Sequence, residues 1–217
     1  MTGSTASDAV TRILLVRHGE TVWHHENRYA GATSDIDLTV RGVEQARTLA
    51  AWSGRRRPAA VFTSPVRRAV QTARPSADEL GLDLHHVDDL REVSFGIAEG
   101  RTIQELTVTD PAAVQGFRAD PVAHPFPGSE PPEDAAHRAS TAIRDIARTT
   151  THGSALVVGH NTVFRMALCA LMGVPVSRYR TFLPRLDNGA VTEIDVPEDP
   201  RRLASLIALN VRPCPDC

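Results

Sequence analysis

The stretch LLVRHGETVWHHENRYAG, residues 14–31, is the chain's densest run of reactive side chains. An apolar run over 14–16 ends abruptly in Arg17, His18 and Gly19, and His24 and His25 follow. Two positive-capable side chains in succession pack poorly in a core. They suit a doubly negative group held between them. Two later stretches repeat the pattern. SPVRRAVQTA, 64–73, carries Arg68 just inside a helix start, and VVGHN, 157–161, runs from apolar residues into His160. LREVSFGIAEG, 90–100, adds the carboxylate of Glu92.

A phosphoryl group wants those side chains. It carries nearly two negative charges and several acceptor oxygens. Guanidinium forks bind it in pairs, and a helix N-terminus adds backbone donors. A neutral imidazole can attack phosphorus if its other nitrogen is held by a hydrogen bond. Transfer to His18 would split hydrolysis into two steps through a phosphohistidine. In both steps the equatorial oxygens need positive groups already in place. The leaving oxygen needs a proton, which Glu92 can give and then reclaim from water.

Elements must bring these groups together. Short apolar runs at 13–16, 60–62 and 155–158 read as strands covered on both faces. Helical spacing predicts helices over 39–51, capped by Thr39, from Pro65 to Leu80, closed by Gly81, over 134–150 and over 162–172. A third extended piece is expected over 82–90, and strands or edges over 179–183, 190–196 and 203–210. The Pro- and Gly-rich stretch 92–133, with one helical piece near 102–106, reads as an inserted lid. Strand–helix alternation predicts a three-layer α/β/α sandwich with a mostly parallel central sheet. In such sheets ligands sit beyond the carboxyl ends of strands, where Arg17-His18, Ser64-Pro65 and Gly159-His160 all fall. Residues 12–212 are expected to form a single domain, with short tails at 1–11 and 213–217.

RHGET (17–21), SPVRRAVQT (64–72), LRE (90–92) followed by FGIAEG (95–100), and GHN (159–161) resemble the histidine phosphatase superfamily, also called phosphoglycerate mutase-like. The blocks stand in that family's order and span roughly residues 13–172. The resemblance implies that His18 is the phosphoryl acceptor and that Arg17, Arg68, His160 and Asn161 form the phosphate pocket. Arg68 rather than Arg67 matches the family pattern. Glu92 would be the acid and base, with His160 also catalytic. Neither a metal nor an organic cofactor is implied.

The chain departs from the pattern in two places. His24 stands where many members have asparagine, and Ala30 where glutamine is usual. His24 is therefore a candidate to donate to the phosphate or to a substrate hydroxyl, with Tyr29, Thr21 and Phe126 as further substrate contacts. HPFPGSEPPEDAAHR, 124–138, resembles the shorter phosphatase branch. The expected activity is that of a metal-independent, histidine acid phosphatase-like phosphomonoesterase acting on a small phosphorylated metabolite. Alternatives are a phosphoglycerate mutase, a non-catalytic phospholigand binder, and a metal enzyme using His18, His24 and His160.

Bulk properties narrow the classes further. The 217 residues suffice for one α/β domain. A formal net charge of -2 argues against bulk binding to nucleic acid or anionic membranes. All 24 basic residues are arginine, which excludes lysine nucleophiles, Schiff bases and Walker-type loops. No apolar stretch approaches the ~20 residues of a membrane span. With no secretion-like N-terminus, a cytoplasmic protein is expected. Cys169 reads as core, and Cys214 and Cys217 as part of a frayed tail. A homodimer through a sheet edge is a possible assembly.

Overall fold

The structure is a computed structural model in which residues 9–150 and 152–214 are described. Its central strand, β1 (Val10–Arg17), shows why the apolar run reads as fully covered. Ile13 and Leu15 belong to one core cluster and Leu14 and Val16 to another, on the two faces of the sheet. The chain continues through α1 (Val22–Glu26), α2 (Val40–Arg56), β2 (Ala60–Thr63), α3 (Arg67–Leu80) and β3 (Leu84–His86). Then follow α4 (Ile103–Thr109), α5 (Pro111–Ala119), α6 (Pro132–Thr149), β4 (Ser154–Gly159), α7 (Asn161–Leu171), α8 (Tyr179–Phe182), β5 (Val191–Pro197) and β6 (Ser205–Val211).

The six strands lie in the order β3-β2-β4-β1-β5-β6. The β3-β2, β2-β4 and β4-β1 pairs are parallel, while β5 and β6 add an antiparallel edge. Small residues of α3 (Ala69, Ala73, Ala77) and Leu49 of α2 pack with Leu14, Val16 and Val61 on one face. Residues of α6 and α7, among them Ile143, Ile146 and Phe164, pack with Ile13, Leu15 and Val157 on the other. This is the expected three-layer arrangement. Because β1, β2 and β4 run parallel, their carboxyl ends open on one edge of the sheet.

Several elements differ from the sequence expectation. β1 begins at Val10, inside the expected tail. The stretch 82–90 has only three strand residues, and a 3-10 turn takes Asp88–Leu90. The stretch expected to extend over 179–183 is helical instead. Four residues are too few to separate a period of 2 from one of 3.6, and Tyr179 turns inward beneath the Arg165 guanidinium, 4.8 Å from its ring centre. Residues 92–133 hold two helices rather than one, and Val93, Phe95, Leu106, Val114, Phe117 and Phe126 join the core cluster. Cys169 is a buried free thiol, and Cys217 lies outside the described residues.

Candidate active site

His18 leaves the end of β1 nearly buried, at 4% exposure. Its Nδ1–H donates to the Gly19 carbonyl at 2.7 Å. That bond puts the neutral imidazole's proton on Nδ1 and leaves a lone pair on Nε2. Arg68 Nε donates to this Nε2 at 3.2 Å, consistent with the same tautomer. Burial, then the cations of Arg68 and Arg17 with neighbouring His160 and His24, holds the His18 pKa well below the ordinary value. The ring is therefore neutral and nucleophilic at pH 7. Gly19 has a different use from the one its sequence suggests. A Cβ there would stand 2.6 Å from the Gly42 carbonyl oxygen, so glycine permits α2 to approach the loop rather than a ligand.

Arg68, fully buried in the first turn of α3, is fixed by backbone carbonyls. Nη1 donates to Ser34 at 2.8 Å, and Nη2 to Gly31 at 3.0 Å and Ala30 at 3.2 Å. Arg17 donates from Nη1 to the Leu186 carbonyl at 2.7 Å and from Nη2 to His24 Nε2 at 2.6 Å, while its buried Nε has no partner. Burial lowers both guanidinium pKa values to about 10, which still leaves them charged at neutral pH.

His160, at the end of β4, is also fully buried, with its ring centre 5.2 Å from that of His18. Its Nε2 lies 2.8 Å from Ser64 Oγ. Ser64 Oγ already accepts from the Val66 N–H at 3.3 Å, so it is free to give its own hydrogen to His160. With the His160 proton assigned to Nδ1 on that basis, Nδ1–H is a buried donor without a partner. Two orphaned buried donors beside a neutral nucleophile are costly unless a ligand completes them. An anion with several acceptor oxygens does so.

Glu92 is 5% exposed and, among the described residues, is the one carboxylate lining the cavity with His18. Its Oε1 accepts from the N–H groups of Val163 at 2.8 Å and Val93 at 3.0 Å, and its Oε2 from Thr162 at 3.0 Å. The first turn of α7 thus orients it. Oε1 is saturated, whereas Oε2 keeps a lone pair that can carry a proton.

The cavity measures about 390 Å³, and Arg17, His18, Thr21, His24, Tyr29 and Asn161 share its lining with Glu92. Arg68 and His160 flank the His18 ring, Arg68 Nε at 3.2 Å from its Nε2 and the His160 ring centre 5.2 Å away, without lining the cavity themselves. Asn161 accepts the Leu186 N–H at 3.1 Å through Oδ1. Thr21 is buried and caps α1. His24, a candidate donor to the phosphate or to a substrate hydroxyl, has both nitrogens engaged by the protein. Nδ1 meets the Thr21 hydroxyl at 2.9 Å, and Nε2 faces two donors, Arg17 and Asn188 Nδ2, the latter at 3.2 Å. Burial and Arg17 lower its pKa to about 4, so it serves as a neutral acceptor that braces Arg17. Phe126 does not reach the cavity. It is 1% exposed and stacks on Phe117 with ring centres 4.0 Å apart.

Sequence reading missed other residues here. Ser64, which the strand pattern places with Pro65 at the ligand edge, has a partner that the pattern does not give: it meets His160 Nε2. Arg165 and Arg180 line the cavity, yet no local motif marks either one. Arg165 is a lone cation within the apolar run of α7, a signal that could have been noticed. Among the described residues, no group of three His, Cys, Asp or Glu side chains is placed to hold a metal ion.

Residues 13–208 match the model of the histidine phosphatase superfamily (branch 1). Phosphoserine phosphatase 1 of Hydrogenobacter thermophilus is 27% identical over 202 residues, covering 93% of each chain. "Probable phosphoglycerate mutase GpmB" of Enterobacter sp. is 31% identical over 193 residues, 87% of this chain and 86% of the relative. Among solved structures, YhfR of Bacillus stearothermophilus superposes with a TM-score of 0.84 at 27% identity, over 93% of this chain and 97% of that one. Mycobacterial glucosyl-3-phosphoglycerate phosphatase shares the fold, with a TM-score of 0.83 at 24% identity over 93% of this chain and 99% of that one.

Proposed function

The chain belongs to the histidine phosphatase superfamily, branch 1, and we propose that it is a metal-independent phosphomonoesterase acting on a small phosphorylated metabolite. One observation carries the reading. The neutral Nε2 of His18 stands among two fixed guanidiniums and an orphaned His160 donor, with Glu92 on the same cavity.

In the first step the His18 Nε2 lone pair attacks phosphorus. The bond from phosphorus to the ester oxygen breaks, and that oxygen takes a proton from Glu92. In the second step water attacks phosphorus and gives a proton to Glu92. The P–N bond breaks, releasing inorganic phosphate and restoring His18. Arg17, Arg68 and His160 Nδ1–H hold the equatorial oxygens throughout, which is the charge neutralisation that divalent metals provide elsewhere. Arg68 Nε, which meets His18 Nε2 without substrate, turns its hydrogen bond to a phosphoryl oxygen as attack begins.

The likeness to relatives named as a phosphoserine phosphatase and as a phosphoglycerate mutase supports a small substrate and keeps phosphoryl return to substrate as the second reading. A second cavity of about 730 Å³ shares Arg17, His24, Asn27 and Asn161 as walls with the first. A cytoplasmic location and a homodimer through the exposed edge strand β6 belong to the same proposal. On that strand Leu206, Ile207, Leu209 and Val211 are exposed.

The test is phosphate release from 4-nitrophenyl phosphate in excess chelator, comparing the wild type with His18→Ala. Turnover that survives chelation and falls at least ~10³-fold in the variant is expected. Loss of wild-type activity in chelator would overturn metal independence. An active His18→Ala protein would overturn the phosphohistidine route. Interconversion of 2- and 3-phosphoglycerate without phosphate release would establish the mutase reading.

A further inference from the structure

The stretch HPFPGSEPPEDAAHR, 124–138, places no side chain on the wall of the His18 cavity. Two of its charged residues meet each other instead. Arg138, on α6, gives Nε to Glu130 Oε1 at 2.6 Å and Nη2 to Oε2 at 2.8 Å, a bidentate fork. The two side chains are only 20% and 22% exposed, so water screens this pair less than a surface one. The other donors turn away from Glu130. Nη1 reaches the carbonyls of Asp89 at 2.6 Å and Arg91 at 2.9 Å, and Nη2 also reaches that of Glu92 at 3.4 Å. A guanidinium has five N–H donors, and each of the five here has an acceptor.

Those three carbonyls belong to the turn that carries the acid. The turn follows β3 and lies outside the sheet, so no neighbouring strand holds its backbone. Arg138 holds it from a rigid element: Ala135, Ala139, Ala142 and Ile143 of α6 are buried in the core cluster. Glu130 is fixed as well. Its N–H donates to the Ser94 carbonyl at 3.0 Å, and the Ile97 N–H donates to that of Pro127 at 3.0 Å. These bonds tie the two ends of the 92–133 segment together next to Glu92. The Glu92 carboxylate is gripped by the N–H groups of Val93, Thr162 and Val163, and that grip needs its main chain to stand where it does.

Resting on the phosphatase reading, we propose that Arg138, aligned by Glu130, is a positioning residue for proton transfer by Glu92. It fixes the main chain of 89–92, and α7 fixes the carboxylate that grows from it. With both ends set, the carboxyl delivers its proton along one direction to the departing oxygen. A lysine has three donors at one point and cannot span a carboxylate fork and three carbonyls. Loss of the fork lets Glu92 drift and slows the proton, while attack by His18 among Arg17, Arg68 and His160 is left as it was.

The test compares phenyl phosphate with 4-nitrophenyl phosphate in single-turnover phosphoryl transfer. The two esters are nearly alike in shape, but phenolate needs a proton as it leaves far more than 4-nitrophenolate does. Arg138→Gln is expected to slow transfer from phenyl phosphate by ~10²-fold and from 4-nitrophenyl phosphate by less than about threefold. Glu130→Gln, which breaks the fork and keeps Arg138, is expected to show the same split at about tenfold. In a Glu92→Gln background neither substitution is expected to slow phenyl phosphate by more than about a further twofold, because the group they position is gone. A merely loosened fold would slow both esters alike and would go on doing so without Glu92. If Arg138→Gln does not fold, Glu130→Gln decides alone. Equal losses on the two esters, losses that persist in the Glu92→Gln background, or a wild type that cleaves only 4-nitrophenyl phosphate overturn the proposal while the phosphatase reading stands. A wild type that cleaves neither ester overturns that reading and this inference with it.

Discussion

At the residue scale the site separates two jobs that carboxylates and imidazoles often share. On the proposed route His18, kept neutral by burial and by the cations around it, begins as the nucleophile. Glu92 is kept in place by three backbone N–H groups, so it can deliver a proton along one direction. The roles respond differently to the leaving group. An alkoxide must be protonated as it departs, whereas 4-nitrophenolate needs no proton. Glu92→Gln keeps the shape and an acceptor oxygen but loses the acid. It is expected to lower kcat by ~10²–10⁴-fold on an alkyl phosphate and far less on 4-nitrophenyl phosphate in the first, phosphoryl-transfer step. Single-turnover measurement with both esters checks this. An equal loss on both would show that Glu92 only positions α7.

At the element scale the aromatic residues of the 92–133 segment are structural as well as cavity-forming. Phe126 stacks on Phe117 and packs edge-on to Tyr29, with ring centres 5.5 Å apart, and Tyr29 and Phe117 reach the cavity from that base. Phe126→Ala removes a fully buried ring and is expected to destabilise the protein by ~3–5 kcal/mol in denaturant unfolding. Substrate affinity then changes only as the cavity wall loosens. A variant of unchanged stability with a raised KM would place Phe126 at the substrate after all. Sequence alone could not separate these roles, because an aromatic residue in a Pro- and Gly-rich stretch has the same signature in either. The same limit hid α5 and α8, which are short and are recognised by what they pack against.

At the scale of the whole molecule, the buried histidines make stability depend on pH. His18, His160 and His24 have pKa values below the unfolded reference of ~6.5, with His24 at about 4. The unfolded chain therefore binds more protons in acid, and stability falls as pH drops below that reference toward the folded values. Tm is expected to fall by on the order of 5 °C between pH 7 and pH 5. Inorganic phosphate should raise Tm by binding the native cradle, and it should lessen the acid loss by favouring protonated histidines nearby. Thermal melts at constant ionic strength, with and without phosphate, check both effects. A Tm that is flat over this range would mean the histidines are already protonated or are solvated.

The chemistry was legible in the sequence because its signals are local. Apolar runs ending in Arg17-His18, in Ser64 and in Gly159-His160 announce strand ends, and parallel strands must open their carboxyl ends on one edge. The sequence by itself therefore determined the fold class, the phosphoryl chemistry and the identities of His18, Arg17, Arg68, His160 and Glu92 as candidates. Only the tertiary structure decided which nitrogen of His18 is free, that His24 braces Arg17 from the cavity wall, that Phe126 is core, and that Arg165 and Arg180 complete the cavity. Those facts depend on partners far apart in the chain. Leu186 lies 169 residues from Arg17, and Arg180 meets Phe117 across 63. A hydrogen-bond partner chosen at that range leaves no periodicity for a linear reading to find.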